Sequence, residues 1–130
     1  MRFIDPDAPL PDDTLRLDST QDVMQLAAEL AGRAVVSLHF SQWTDGRAYS
    51  QAVLLRARLG FNGELIATGE VLADMLPLLR RCGFNAVQLR GDQKLESAQR
   101  ALGYFDGHYQ RGTTAPQVQA AQAFQAVQAA

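Results

Sequence analysis

The chain has 130 residues, 47% hydrophobic and 20% charged, which is enough for one domain with a buried core. Its formal net charge is -2 and its charges are mixed in sign, so the sequence disfavours a nucleic-acid surface. No apolar run approaches the roughly 20 residues of a transmembrane helix, and residues 1–13 lack the apolar stretch of a signal peptide. With Cys82 as the single cysteine, no internal disulfide can form. We expect a cytoplasmic protein that does not enter membranes.

Both ends of the chain are expected to lie outside the folded domain. Residues 1–13 hold three of the five prolines and are interpreted as a flexible segment. Residues 112–130 are a low-complexity run rich in Gln and Ala, which we interpret as a frayed or partner-dependent tail. The single domain is therefore assigned to residues 14–111.

Strand and helix signals alternate from the start of this domain. A short strand over residues 15–17 precedes Ser19 and Asp22, whose spacing is that of a capping box at the start of a helix. A buried strand over residues 34–40 leads to a second helix, which Gly60 ends. The residues expected to face inward from these two helices are Val23, Leu26, Ala27, Leu30, Ala48, Ala52, Leu55 and Leu59.

The alternation then repeats twice. A strand over residues 64–67 precedes a helix that ends at Gly83, and a strand over residues 86–89 precedes a last helix. Pro77 conflicts with the third helix, because an interior proline costs about 3 kcal/mol unless the helix kinks or begins near it. The expected inward residues are Leu72, Met75, Leu79, Cys82, Leu95, Ala98, Leu102 and Phe105.

Four consecutive βα units predict an α/β domain with a parallel sheet, since a helix between strands returns the chain for parallel pairing. Two arrangements fit this order: an open sheet with helices on both faces, and a half-barrel with all helices on one face. The half-barrel would leave its inner face uncovered, which favours a homodimer that completes an eight-stranded ring.

A parallel sheet also predicts where a site lies, because ligands bind at the edge formed by the carboxyl ends of the strands. The free N–H groups of the following helices point to this edge, so a small oxyanion or a carboxylate is the natural ligand. The candidate ligand-binding residues are Thr44, Asp45, Arg47, Tyr49 and Ser50 after the second strand, Thr68 and Glu70 after the third, and Arg90 after the fourth.

The same residues have a purely structural interpretation. Thr44 or Asp45 is suited to cap the second helix, and Arg47 can pair with a nearby acid. Ser50 has no neighbouring His or Lys in the sequence to activate its hydroxyl. Both interpretations of the turn at residues 44–47 stay open, and no catalytic residue is identified.

The sequence contains no motif for several common metal and cofactor sites. His39, His108 and Cys82 do not stand at zinc-ligand spacing, and one cysteine is too few for a protein-held iron–sulfur cluster. Neither a dinucleotide fingerprint nor a Walker phosphate loop is present. Cys82 falls on the apolar side of its helix near the carboxyl end, which favours a packing role. We expect no metal and no cofactor.

The stretch from Phe40 to Ala52, together with residues 60–89, resembles a bacterial family described as domain of unknown function 934. The resemblance covers residues 35–110. Ile66 and Met75 depart from the family pattern, in which an arginine and a glutamine are common at these positions. The residues that carry the resemblance are Phe40, Asp45, Gly46, Arg47, Tyr49, Ser50, Ala52, Gly63, Glu64, Gly69, Asp74, Arg81, Gly83 and Phe84.

The resemblance implies a link to assimilatory sulfite reduction, because members of the family are commonly encoded beside sulfite reductase, and some are labelled oxidoreductases. This chain lacks cluster ligands, a dinucleotide motif and an evident haem ligand. We therefore expect an accessory protein with sulfite reductase as its partner, not itself an electron carrier. The alternative is an oxyanion-binding domain or an oxidoreductase with its site at the Asp45-Gly46-Arg47 turn.

Overall fold

The computed structural model of the protein describes residues 1–103. These residues form five strands and four α-helices, and a short 3-10 turn precedes both the first and the third helix. The strands are β1 (Arg2–Ile4), β2 (Leu15–Asp18), β3 (Val35–Phe40), β4 (Glu64–Gly69) and β5 (Ala86–Gln88). The helices are α1 (Ala27–Leu30), α2 (Arg47–Ala57), α3 (Leu76–Cys82) and α4 (Leu95–Ala101), and the 3-10 turns are Val23–Leu26 and Ala73–Met75.

The five strands form one sheet in the order β1-β5-β4-β3-β2, and every neighbouring pair is parallel. The predicted α/β class with a parallel sheet is therefore confirmed. Strands β2 to β5 lie side by side in chain order, so each βα unit adds its strand next to the preceding one. The structure adds β1, a three-residue edge strand on β5. It lies inside the segment 1–13, to which the sequence analysis assigned no strand.

The helices pack on one face of the sheet. Leu17, Leu38 and Ala67 are register partners on adjacent strands, so their side chains point to the same face. They belong to one buried apolar cluster that also contains Ala52 of α2 and Leu79 of α3. Of the two predicted arrangements, the structure has the one with its helices on a single face.

The opposite face of the sheet is here called the second face. The chain itself covers the middle of this face. Ile66 and Ala86 point to this face and are fully buried, although they lie outside the main apolar cluster. Gln88, on the same face, donates from Nε2 to the main-chain oxygens of Asp5 at 2.9 Å and Ala8 at 2.8 Å. The connection from β1 to β2 therefore passes over the second face, which is not left uncovered as the half-barrel interpretation expected.

The structure defines where the first and the third helical segments begin. Asp22 caps the first 3-10 turn by accepting the N–H of Met24 at 3.0 Å. The predicted capping box with Ser19 is wrong, because the turn begins only at Val23. The conflict at Pro77 disappears because α3 begins at Leu76, so that the missing N–H of proline falls in the first turn, where it has no intrahelical partner.

Most of the predicted inward residues are buried, with two corrections. Leu95 is 50% exposed, because it is the first residue of α4 and precedes the buried turn that Ala98 and Leu102 form. Ala27 is also exposed, because the first helical segment is a 3-10 turn followed by a single α-turn and does not keep one α-helical stripe. Phe105, His108 and the tail at residues 112–130 lie outside the described residues.

Candidate functional site

The turn between β3 and α2 is built around the carboxylate of Asp45. Oδ1 accepts the backbone N–H of Arg47 at 3.1 Å, which satisfies a free donor at the start of α2. The same carboxylate binds the guanidinium of Arg47, with Nε at 3.0 Å from Oδ1 and Nη2 at 3.2 Å from Oδ2. The side chain of Asp45 is only 8% exposed, whereas that of Arg47 is 64% exposed.

Ser19 ties this turn to the loop that follows β2. Hydrogen bonds from Arg47 and then from Ser19 hold the pKa of Asp45 well below its usual range, so the carboxylate stays ionised. Ser19 itself is buried. One carboxylate thus joins the β2 loop, the β3 loop and the first residue of α2, and this restrains the turn in one conformation.

The remaining candidates in this stretch have separate environments. Tyr49 is half-buried and packs edge-to-face on Phe40, with ring centroids 5.2 Å apart and an interplanar angle of 69°. Burial raises the pKa of Tyr49, so its phenol stays protonated. Thr44 and Ser50 are exposed, and neither hydroxyl makes a hydrogen bond to another residue between 1 and 103.

A second ion-pair group joins the loops that follow β4 and β5. Arg90 binds Asp92 through two parallel contacts, Nε to Oδ1 at 2.6 Å and Nη2 to Oδ2 at 2.7 Å. Its Nη1 contacts Oε2 of Glu70 at 2.7 Å. These carboxylates raise the pKa of Arg90, and Arg90 in turn lowers the pKa of Asp92 to about 2.

Thr68 joins neither ion-pair group. It is buried on the second face, and its Oγ1 lies 3.3 Å from Nδ1 of His39 on the neighbouring strand. The structure therefore divides five of the eight predicted site residues among three environments. These are the Asp45–Arg47 pair, the Glu70–Arg90–Asp92 group, and the His39–Thr68 pair.

Negative charge is in excess at this edge of the sheet. Both arginines predicted to bind an anion are held by carboxylates, and Asp18 at the end of β2 adds another carboxylate. This balance favours a positively charged ligand over an oxyanion. Four carboxylates, those of Asp18, Asp45, Glu70 and Asp92, lie at this edge with two guanidinium groups, those of Arg47 and Arg90.

Trp43 was not among the predicted site residues, although it lies in the same turn. Its side chain is 56% exposed, two residues before Asp45 and four before Arg47. A large aromatic side chain in a polar turn is a signal that the sequence already carried. Ser19 and His39, in contrast, reach the site only through tertiary contacts, so no local pattern indicates their roles.

Other parts of the described chain contribute no metal or membrane feature. Between residues 1 and 103, no three His, Cys, Asp or Glu side chains are grouped so that they could hold a metal ion. No helix in this range is long and apolar enough to cross a bilayer. Burial raises the pKa of the Cys82 thiol, which keeps it protonated. A groove of about 240 Å³ between Leu30 and Phe61 is lined by none of the predicted site residues.

Comparisons with known proteins identify the family of the chain. A model of the family described as bacterial protein of unknown function (DUF934) matches residues 14–120. No curated protein and no solved structure matches the chain. Because the family model covers well over half of the 130 residues, the protein belongs to this bacterial family of unknown function.

Proposed function

We propose that the protein is an accessory protein of assimilatory sulfite reduction, which acts in the cytoplasm by binding a sulfite reductase and does not itself carry electrons. The link to sulfite reduction rests on what the resemblance to the family implies. The observation in the molecule that supports a docking role is the exposed Trp43, four residues before Arg47 in a turn restrained by Asp45.

Trp43 and Arg47 have the character of residues that dominate protein–protein binding. Trp and Arg are enriched among the few interface residues whose removal costs at least 2 kcal/mol. Asp45 holds the turn through the N–H and the guanidinium of Arg47, so little further ordering is needed when a partner binds. An exposed indole on a restrained turn is therefore suited to fill an apolar pocket on a partner.

The test is the affinity of the full-length protein for purified sulfite reductase, measured with the wild type and with Trp43→Ala. We expect the substitution to weaken binding about 30-fold, which corresponds to the loss of a contact of about 2 kcal/mol. Leu95→Ala is the matched control, because Leu95 is exposed to a similar extent and lies on α4. It should leave the affinity unchanged.

The proposed role also predicts a phenotype. Cells that lack the protein should grow poorly with sulfate as the sulfur source and normally with cysteine. If the wild-type protein does not bind the reductase and the deletion strain grows normally on sulfate, the accessory role is wrong.

A homodimer is part of the same proposal. Strands β1 and β2 are the edges of the sheet, and their outer backbone groups have no strand partner among residues 1–103. Pairing along an edge would satisfy them. Two copies of a five-stranded sheet do not give the eight strands first expected, so we propose edge association and not ring closure. Light scattering of the purified protein tests it: a monomer mass at micromolar concentration would reject the dimer.

The alternative function is small-oxyanion binding at the Asp45-Gly46-Arg47 turn, alone or as part of an oxidoreductase site. The start of α2 and the exposed guanidinium of Arg47 support it. The carboxylate of Asp45 weighs against it, because it already accepts from the N–H and the guanidinium that an anion would use. Calorimetric titration with sulfite and sulfate decides: saturable binding that Arg47→Ala removes would favour this alternative.

A further inference from the structure

A row of polar side chains crosses the second face at the carboxyl edge of the sheet. Asp18, His39 and Thr68 are register partners on β2, β3 and β4. Their neighbours Leu17, Leu38 and Ala67 point into the core under the helices, so these three point the other way. Asp18 and His39 are exposed, whereas Thr68 is buried.

Thr68 and Gly69 fix the orientation of the His39 ring. The hydroxyl of Thr68 lies 3.5 Å from the main-chain oxygen of Leu38 and 3.3 Å from Nδ1 of His39. When this hydroxyl donates to Leu38, its oxygen accepts from Nδ1. The ring also rests against Gly69, where a Cβ atom would lie 2.7 Å from Cε1 and 2.9 Å from Nδ1. With the hydrogen on Nδ1, Nε2 is the acceptor that the exposed imidazole presents.

Asp18 supplies a second acceptor beside this ring. Both hydrogen bonds from Thr20, one from its backbone N–H at 2.9 Å and one from its hydroxyl, go to Oδ1 of Asp18. Oδ2 is left without a hydrogen-bond partner among residues 1–103. The bonds from Thr20 lower the pKa of Asp18, so the carboxylate is ionised at neutral pH.

We propose that Nε2 of His39 and Oδ2 of Asp18 form a subsite for an ammonium or guanidinium group. One neutral acceptor and one anionic acceptor on neighbouring strands match a cation that carries N–H donors. The guanidinium of Arg47, whose charge acts on Asp18, is held by both oxygens of Asp45. The excess of carboxylates along this edge adds a long-range attraction for a positive charge.

Two kinds of ligand carry such a cationic group: a Lys or Arg side chain of a protein partner, and a free amine or guanidine compound. The subsite does not rest on the proposed role in sulfite reduction. It can therefore be tested with small cations and no partner.

The experiment is a titration of the full-length protein with methylguanidinium chloride at pH 8, above the range in which imidazoles usually titrate. The readout is the ¹⁵N spectrum of the His39 ring, with sodium chloride at matched ionic strength as the reference. We expect Nδ1 to carry the hydrogen in the free protein, and the Nε2 resonance to shift saturably with methylguanidinium and not with sodium. Asp18→Asn should weaken this binding at least tenfold, whereas Asp12→Asn, an exposed acid on the β1–β2 connection, should not change it.

A hydrogen on Nε2 in the free protein would overturn the proposal. So would equal shifts with sodium, or equal loss of binding in the two variants, because these results indicate charge screening alone. Competition between methylguanidinium and sulfite reductase then tests whether the reductase supplies the cationic group. If the small cation displaces the reductase, the subsite takes a basic side chain of that partner; if it binds without affecting the reductase, the reductase does not use the subsite.

Discussion

The guanidinium of Arg56 donates two hydrogen bonds to the main-chain oxygen of Gly83, from Nε at 3.0 Å and from Nη2 at 2.8 Å. Its Nη1 donates to the oxygens of Phe61 at 2.9 Å and Gly63 at 2.8 Å. Arg56 is only 7% exposed, and burial lowers its pKa, although an arginine stays protonated. One buried side chain of α2 thus joins the loop before β4 to the end of α3.

Arg56→Lys should destabilise the protein by about 3 kcal/mol, because an ammonium group cannot reach both loops and leaves buried carbonyl groups without donors. The free energy of unfolding in urea measures this effect. Arg58→Lys is the control, since Arg58 is exposed one residue after α2, and it should change stability by less than about 0.5 kcal/mol. Equal effects of the two substitutions would contradict the role of Arg56 as a link between loops.

Gly69→Ala should destabilise the protein by about 2 kcal/mol or more. Gly69 has a φ of +89°, and an added Cβ would lie 2.4 Å from the main-chain oxygen of Phe40. Gly46→Ala is the matched control, because Gly46 has helical dihedral angles and no atom lies within 4 Å of its added Cβ. Thermal unfolding of the two variants should therefore separate them clearly; a stable Gly69→Ala protein would argue against the close packing of His39.

The stability that Asp45 contributes should depend on pH. Its folded-state pKa is lowered by Arg47 and Ser19, so the contribution is present above the pKa of the unfolded chain, about 3.9, and is lost as the pH falls toward the folded value. Asp45→Asn keeps an oxygen for the N–H of Arg47 but removes the charge.

In urea unfolding, wild type and Asp45→Asn should differ by about 1 kcal/mol at pH 7, and the difference should shrink below about pH 4. Asp12→Asn is the control and should change stability at pH 7 by less than about 0.5 kcal/mol, because Asp12 makes no side-chain hydrogen bond to another residue between 1 and 103. A constant difference between wild type and Asp45→Asn across this range would contradict an ionised, hydrogen-bonded Asp45.

Two substitutions of Tyr49 distinguish a packing role of its ring from a chemical role of its phenol group. If its ring serves to pack on Phe40, Tyr49→Phe should leave both stability and partner affinity within about 0.5 kcal/mol of the wild type. Tyr49→Ala should cost about 3 kcal/mol of stability through the lost aromatic contacts. Loss of binding in Tyr49→Phe, with stability intact, would instead assign a role to the phenol group.

The order of βα units and the capping role open to Asp45 were predictable because both depend on residues close in sequence. Repeated apolar spacing and the glycines that end helices, such as Gly83, lie within single elements. Asp45 reaches the N–H two residues along the chain. Strand β1 was missed because three residues are too few for a strand pattern to show.

Tertiary structure alone decided which separate loops and strands of the site are in contact. The contact of His39 with Thr68 spans 29 residues, and that of Arg90 with Glu70 spans 20. Sequence spacing places such residues at one edge of a parallel sheet and allows the pairs two residues apart, Asp45 with Arg47 and Arg90 with Asp92, but it does not determine which residues of separate loops are paired. That pairing depends on strand order, register and burial. The sequence by itself determined the class of fold and the location of the edge. The folded chain decided which loops at that edge are joined, because the contacts of His39 with Thr68 and of Arg90 with Glu70 form between separate βα units.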